Sequence, residues 1–563
     1  MPRYSRSELA GADLAWIVSL TFGGRAWRFS SRPLSISSTA GQVFSAGGLS
    51  PLSIAVESSP EDRQVGERRV SLELQWGFED AAGFEALVAG PLSVGDFSGE
   101  VALIRIGDAW ERREVILRGV VVSAQYGAAT EPVVLDLAEE VQQDRSLIPP
   151  TDAAVTAATW PSVWAEGSGT SFDDAAQGQT YPWVFGAPGL PEAEDELEVL
   201  PAWPAPVISA SAIAWNNAVS PCYLLVAGHP SGFLPTLESV RLINQSRYDP
   251  AASILYYVDD APLSSAVDRL GRTISRGELQ ASVPLDPGYL PWEAGQETYA
   301  QALAAGGIEG PDGPIVDGLE LAAWLLSRSE LQLAPGAALP VAGRGFAFDF
   351  YVNEPRAASS VALEDVLAWL PVSLLPGPAG WEFVGWDVQA GASTTVATIG
   401  PAHGCERTGP VSLSGVDEVV NVVRIQYGQR ADSGEFARLL TIGPSREIGT
   451  PTPRRVVDPL AEASAARHGV RRGPVVSIGS VWRTSTAAKI GRWILARQAF
   501  QRRTVAYSCP QELQVLRPGD SVRLSDAQIG APDSIAWVTS VSRGPGPCVV
   551  ALEIFPQLER ADG

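Results

Sequence analysis

Lysine is almost missing from this chain. Of its 41 basic residues, all but Lys489 are arginine, and Met1 is the single methionine. A GC-rich coding sequence explains that bias more simply than interface chemistry, although arginine does tolerate partial burial better than lysine. Histidine is scarce too: His229, His403 and His468 are the full set. Three scattered histidines give no local spacing for a Ser-His-Asp site. The four cysteines, Cys222, Cys405, Cys509 and Cys548, contain no CxxC pair and suggest no disulfide framework. His403-Gly404-Cys405 is the one close His/Cys pair, and it lacks further ligands nearby, so no metal is expected. No apolar run reaches the roughly 18 residues that would suggest a membrane-spanning helix. Nothing apolar follows Met1-Pro2-Arg3-Tyr4-Ser5-Arg6, so no signal peptide is expected. GxSxG, HExxH, GxxxxGK[ST] and a strand-borne GxGxxG are all absent. Adjacent carboxylates such as Asp173-Asp174 and Asp259-Asp260 read as turns, because neighbours on a strand point to opposite faces. The expectation is a chain that is not an enzyme and carries no cofactor.

The chain is 563 residues long, enough for about three to five domains. Hydrophobic residues make up 45% and charged ones 19%, so real cores can form. With 55 glycines and 44 prolines, many turns and short strands are expected rather than long helices. The 64 acidic residues leave a net charge of −23. Such a chain does not grip nucleic acid by neutralising phosphates. A negative surface could still surround DNA and let it slide. Plain solubility explains the same charge.

Residues 1–148 read as an all-β domain. The run Trp16-Ile17-Val18-Ser19-Leu20-Thr21-Phe22 predicts a strand, Gly23-Gly24 a hairpin turn, and Ala26-Trp27-Arg28-Phe29-Ser30 the return. In 70–76, Val70, Leu72, Leu74 and Trp76 share a face. Strands are predicted over 99–107, 114–122 and 132–137, and a short helix over 84–88. Prolines and the acidic cluster Glu192-Ala193-Glu194-Asp195-Glu196 make 149–205 an extended arm. Residues 206–410 read as an α+β middle, with strands over 222–227, 253–258 and 346–352 and helices over 319–326 and 361–370.

The last part, 411–563, contains the most informative stretch. Residues 419–556 read as a β-barrel crossed by one amphipathic helix. Ser485 or Thr486 could cap that helix, which would run to about Phe500 and bury Ile490, Trp493, Ile494 and Phe500. From Arg467 to Arg503, both included, there are nine basic residues and no acidic one. Phosphate or DNA binding is one reading. Pairing with the acidic remainder of this chain, or of a neighbouring subunit, is favoured, because the arginines alternate with apolar positions. Arg467, Arg471, Arg472, Arg492, Arg497 and Arg502 are therefore the candidate inter-subunit or inter-domain seam.

The order of four features is similar to that in tail-tip or baseplate hub proteins of tailed bacteriophages. They are the run over 419–428, Arg467-His468-Gly469-Val470-Arg471-Arg472, the helix over 489–500, and Leu516-Arg517-Pro518-Gly519-Asp520-Ser521-Val522-Arg523-Leu524-Ser525-Asp526. The N-terminal domain resembles the first barrel of such hubs. Gly178-Gln179-Thr180-Tyr181-Pro182-Trp183-Val184-Phe185-Gly186 looks like a segment of long-tailed siphophage hubs. The resemblance implies two tail-tube-like barrels per subunit, flanking α+β domains, and a homotrimer that presents six barrels in a ring. Such a ring ends the tail tube, adapts sixfold to threefold symmetry and lets DNA pass. Implied partners are a distal tail protein or tail tube above, fibre or tip proteins below, and genomic DNA in transit without specific binding. The implied location is the virion. Because the chain ends soon after the second barrel, no receptor-binding or lytic extension is expected on it. A contractile-type hub is similar enough to remain open. The competing reading is a carbohydrate-binding or cell-wall-degrading tail-associated protein, motivated by 17 tryptophans in a β-rich chain.

Overall fold

Alternation along the first strand builds the N-terminal domain. In β1 (Leu14–Phe22) the side chains of Trp16, Val18 and Leu20 turn to one buried face. β2 (Arg25–Ser30) returns antiparallel after a two-residue connection, with Phe22 opposite Arg25 and with Trp27 and Phe29 on the same buried face. The strand β3 (Ile54–Glu57) belongs to a different sheet. β4 (Arg69–Leu74), β5 (Ser98–Arg105), β6 (Glu114–Gln125) and β7 (Val133–Glu139) complete a six-stranded antiparallel sheet in the order β2-β1-β5-β6-β7-β4. Its two edges approach each other. Leu49 N–H donates to Ser30 O on β2 at 3.2 Å, and Ser50 N–H donates to Glu73 O on β4 at 2.9 Å. The sheet thus curls around Trp16, Phe29, Leu72, Val101, Leu117 and Leu135.

The computed structural model describes residues 4–57 and 69–74 apart from short gaps, then 97–125, 133–139, 146–149 and 183–185, the strands alone between 202 and 314, and 315–554 apart from short gaps. The expected hairpin glycines, the helix over 84–88, Trp76 and most of the expected arm lie outside the described residues. A piece just ahead of that arm and a piece within it are anchored. Leu147–Ile148 pairs with Arg356–Ala357, and Trp183–Phe185 with Phe350–Val352. Phe185 is fully buried and stacks on Phe350 with ring centres 5.1 Å apart. The strands expected over 222–227 and 253–258 are present as Ala218–Ala227 and Ser253–Val258, paired in parallel.

The helix α1 (Gly318–Arg328) matches its predicted spacing. Asp317 caps it by accepting from Leu319 N–H, and Leu319, Leu321, Ala322, Leu325 and Leu326 are buried. A helical run from 358 to 369 stands where the second helix was expected. The strand expected over 346–352 is limited to Phe350–Val352. Residues ahead of it bond elsewhere instead: Phe346 O accepts from Gly318 N–H, and Asp349 N–H donates to Ser480 O.

The stretch expected to be one barrel with one helix is divided between two sheets. The first is mixed. β8 (Val422–Gln429) pairs antiparallel with β9 (Phe436–Gly443), β10 (Arg455–Val457) runs parallel to β9, and β11 (Arg472–Ile478) runs parallel to β8. Parallel neighbours need a crossover. The path to β11 supplies a helix that the sequence reading missed, α2 (Pro459–His468), with Pro459 in its first turn and Asp458 as its cap. The second helix, α3 (Thr484–Gln498), lies on β8 and β9. Gly491 makes that approach possible, since a Cβ there would sit 2.5 Å from Ile442 Cδ1. The core of this sheet is continuous with that of α1 and the 346–383 region.

The second sheet holds β12 (Arg503–Cys509), β13 (Ser521–Asp526), β14 (Ala531–Arg543) and β15 (Cys548–Ile554). Its edges take short strands from before and after residue 411: Ala397–Ile399 on β13, and Glu406–Arg407 and Ser412–Leu413 on β12. A single turn, 400–405, connects the two edges, so this sheet also curls around a core that includes Ile399, Tyr507, Leu524, Val538 and Leu552. β3 adds to it from the N-terminal domain, placing Ile54 opposite Arg543 and Glu57 opposite Ser540. The protein is therefore β-rich, with two curled sheets near its two ends and few helices. No described helix is long and apolar enough to cross a membrane.

Asn421 shows how tightly the mixed sheet is tied to α2. It is fully buried, and its amide donates to Ser464 Oγ at 3.1 Å and Gly469 O at 2.8 Å while its oxygen accepts from Arg471 N–H at 2.7 Å. Asn421→Ala leaves those groups unsatisfied in the interior. We expect a loss of about 1–3 kcal/mol in chemical denaturation of the full chain.

Candidate functional site

The arginine-rich segment follows a path from α2 through β11 and α3 to β12, and the structure gives each of its six candidate residues a definite setting. Arg467 is exposed in the last turn of α2. Arg471 is half-buried and donates from Nε to His468 O at 3.2 Å. Arg472 is exposed and forms a two-pronged pair with Glu447 at 2.8 and 2.7 Å. That guanidinium holds the Glu447 carboxyl below its ordinary range. Arg492, on the open face of α3, lies 3.8 Å from Asp458. Arg502 reaches Glu418 at 2.7 Å. Arg497 differs from the rest. It is only 7% exposed and pairs with Glu553 of β15, with a second contact from Nη2 to Oε2 at 3.3 Å.

Arg497 closes a junction between α3 and the C-terminal sheet. Its guanidinium lies 5.3 Å from the centre of the Trp537 ring. Trp537 also meets Trp386 edge-on at 5.6 Å and Trp493 at 6.1 Å. The indole nitrogens are satisfied: Trp386 donates to Ser373 Oγ at 2.8 Å and Trp537 to Asp387 O at 3.2 Å. Trp16, Trp386 and Trp537 are among the largest fully buried side chains, so these tryptophans fill cores rather than forming an open platform.

The other end of α3 is tied by a pair the sequence reading missed. Arg483 holds Asp349 with Nε to Oδ2 at 2.9 Å and Nη2 to Oδ1 at 3.3 Å, and Asp349 is 1% exposed. Nearby, Thr486 Oγ1 accepts from Ala347 N–H at 3.1 Å instead of capping the helix. α3 is thus clamped to the middle region at its start and to the C-terminal sheet at its end. Beside it runs an apolar groove of about 470 Å³, lined by Trp369, Val420, Pro474, Ile490, Trp493 and Phe500 among others. Ile490 is buried as expected, whereas Trp493, Ile494 and Phe500 are half-buried because they border this groove.

The curled sheets also meet directly. Besides the β3 pairing, Arg543 of β14 bonds Glu114 of β6 at 2.7 Å, and Gln511 donates to Ala12 O at 2.8 Å. Within the C-terminal sheet, Cys405, Cys509 and Cys548 are buried free thiols, with Cys509 opposite Cys548 in register. Burial pushes the Cys548 thiol up to about 12. Among the described residues no group of three His, Cys, Asp or Glu could hold a metal ion.

No protein-family model matches this chain. No curated protein matches it either. Solved structures do. A tail protein from Neisseria meningitidis MC58 aligns over 96% of this chain and 97% of its own, at 10% identity and a TM-score of 0.37. A 43 kDa tail protein of prophage MuSo2 from Shewanella oneidensis aligns over 96% and 98%, also at 10% identity and 0.37. A chain of a native gene transfer agent virion aligns over 52% of this chain and 79% of its own, at 15% identity and 0.18.

Proposed function

We propose that this protein is a structural hub of a phage tail, acting as a homotrimeric ring in the virion. The observation that carries the reading is the pair of curled β-sheets, one near each end of the chain, with β3 of the N-terminal domain paired to β14 of the C-terminal sheet. A subunit that holds two such units side by side can offer two blocks to a ring, and three subunits then offer six. That arrangement would let threefold symmetry continue a sixfold tube, as the sequence resemblance implies. Clamping of α3 at both ends keeps the C-terminal unit in fixed relation to the middle region. The net charge of −23 suits a conduit that does not hold DNA. In this reading the tail tube or a distal tail protein lies above the ring, fibre or tip proteins lie below, and DNA passes without specific binding. The role is structural rather than catalytic, and Arg467 and Arg492, exposed on α2 and α3, are the candidates for contact with a neighbouring subunit.

Solution mass tests the stoichiometry. Light scattering of the full chain is expected to give three times the 59.5 kDa chain mass, reached cooperatively with concentration. A monomer at all concentrations would remove the ring.

A further inference from the structure

Three cysteines stand in one row across the C-terminal sheet. Cys509 ends β12, and Cys548 begins β15 directly opposite it. On the other side of β12, Glu406 lies opposite Ser508 and Arg407 opposite Tyr507. The same register sets Cys405 opposite Cys509 and Gly404 opposite Pro510. The chains do run that close, since a Cβ on Gly404 would sit 3.5 Å from Pro510 Cγ. All three cysteines are buried and belong to the core of this sheet, so their side chains share its inner face.

The two neighbours of Cys509 are not equivalent. Thr408 N–H donates to Ala506 O at 2.9 Å, which makes these opposed residues a hydrogen-bonded pair. Such pairs alternate along an antiparallel ladder, so 406 with 508 is hydrogen-bonded and 405 with 509 is not. Cys405 N–H accordingly donates elsewhere, to Gly400 O at 3.2 Å. Cys509 therefore turns its own backbone groups toward β15, and its pair with Cys548 is the hydrogen-bonded kind. Opposed Cβ atoms lie about 4.5–5.5 Å apart, closest in pairs without the backbone bonds. A disulfide needs about 3.5–4.5 Å, which selects Cys405 with Cys509. The thiols follow the same division. Cys509 shares a hydrogen bond with Cys405, whereas Cys548 Sγ donates to Pro510 O at 3.5 Å.

We propose that Cys405 and Cys509 form a site of reversible disulfide formation, with Cys548 left as a thiol. The oxidant is a small peroxide. One thiolate attacks a peroxide oxygen and becomes a sulfenic acid, and the other sulfur displaces that oxygen as water. In sum, two thiols and one hydrogen peroxide give one disulfide and two waters. Each sulfur loses one electron, and the peroxide oxygens are reduced. The hydrogen bond to Cys405 and burial push the Cys509 thiol up, so little thiolate is present near neutral pH and the reaction is slow. Cys405 ends the turn that joins the two edges of the sheet. The bond ties that turn to β12 and closes a loop of about 100 residues, which restricts the unfolded chain. Residues 406–508 inside the loop carry the mixed sheet, α2 and α3.

Thiol mapping of the full chain tests this. The folded protein is exposed to dilute hydrogen peroxide, quenched with catalase, alkylated with N-ethylmaleimide in urea and digested without reduction for mass spectrometry. Alkylated cysteines are expected to fall from four to two. The Cys405 and Cys509 peptides should appear joined, lighter than their sum by two hydrogens, and a phosphine reductant should restore all four thiols. Cys548→Ala should keep the link and Cys405→Ala should lose it. Where Cys405→Ala fails to fold, the map of the parent chain decides alone. Four alkylated cysteines after peroxide, a Cys509–Cys548 bond, a bond through Cys222 or between two chains, or sulfinic acid in place of a link would overturn the proposal.

Discussion

Arg497→Ala is expected to destabilise the chain by about 3–5 kcal/mol, because it strands the Glu553 carboxylate in a buried junction. Glu553 is 9% exposed and lies opposite Trp537 in register, whose ring the Arg497 guanidinium approaches to 5.3 Å. The cost comes from the unpaired charge more than from the lost pair. Replacing both partners together, Arg497→Met with Glu553→Leu, should therefore recover most of the loss. Urea denaturation of the parent chain, Arg497→Met, Glu553→Leu and the double variant checks this as a double-mutant cycle. Arg492→Glu provides the contrast. Its side chain is 59% exposed and 3.8 Å from Asp458, so its effect on stability should stay within about 1 kcal/mol. A change at Arg497 thus reports folding, and only the exposed arginines can report assembly.

Asp349→Ala is expected to cost about as much, roughly 3–5 kcal/mol, for the mirror-image reason. It leaves the Arg483 guanidinium, 22% exposed, facing a pocket built for a carboxylate. The clamp at the start of α3 would loosen with it, since Asp349 N–H and Ala347 N–H also bond Ser480 O and Thr486 Oγ1. Two outcomes separate local from global damage. Hydrogen exchange that rises only along α3 and 346–352 marks a local opening, and loss of the whole unfolding transition marks a global one. The prediction is the first at low denaturant, followed by a lower midpoint for the full chain.

Periodicity made the strands legible. The alternation in Trp16, Val18 and Leu20, and in Leu72 and Leu74, follows from one face meeting a core, and that pattern needs no knowledge of partners. The spacing of Leu319, Ala322 and Leu326 made α1 legible for the same reason. Partnership was the hidden part. Whether β8 joins β12 or β11 depends on crossovers, and the parallel pairing with β11 brought in α2, whose apolar face is mostly small alanines. Nothing in 346–349 announces that these residues bond α1, α3 and Ser480 rather than a neighbouring strand. The acid-free run was legible, and four of its candidate arginines, Arg472, Arg492, Arg502 and Arg497, meet carboxylates elsewhere in the chain. Their partners, Glu447, Asp458, Glu418 and Glu553, are spread over a long stretch of chain and carry no local signal. The Cys405, Cys509 and Cys548 row was invisible for a related reason: it exists only once three strands are in register.

Location in a particle tests the account most directly. The full chain carrying a small affinity tag would be incorporated into phage or prophage tails and labelled with gold for electron microscopy. Label is expected at the end of the tail away from the capsid, with three copies per particle. Label along the tube, on the capsid, or absent from intact particles would contradict it.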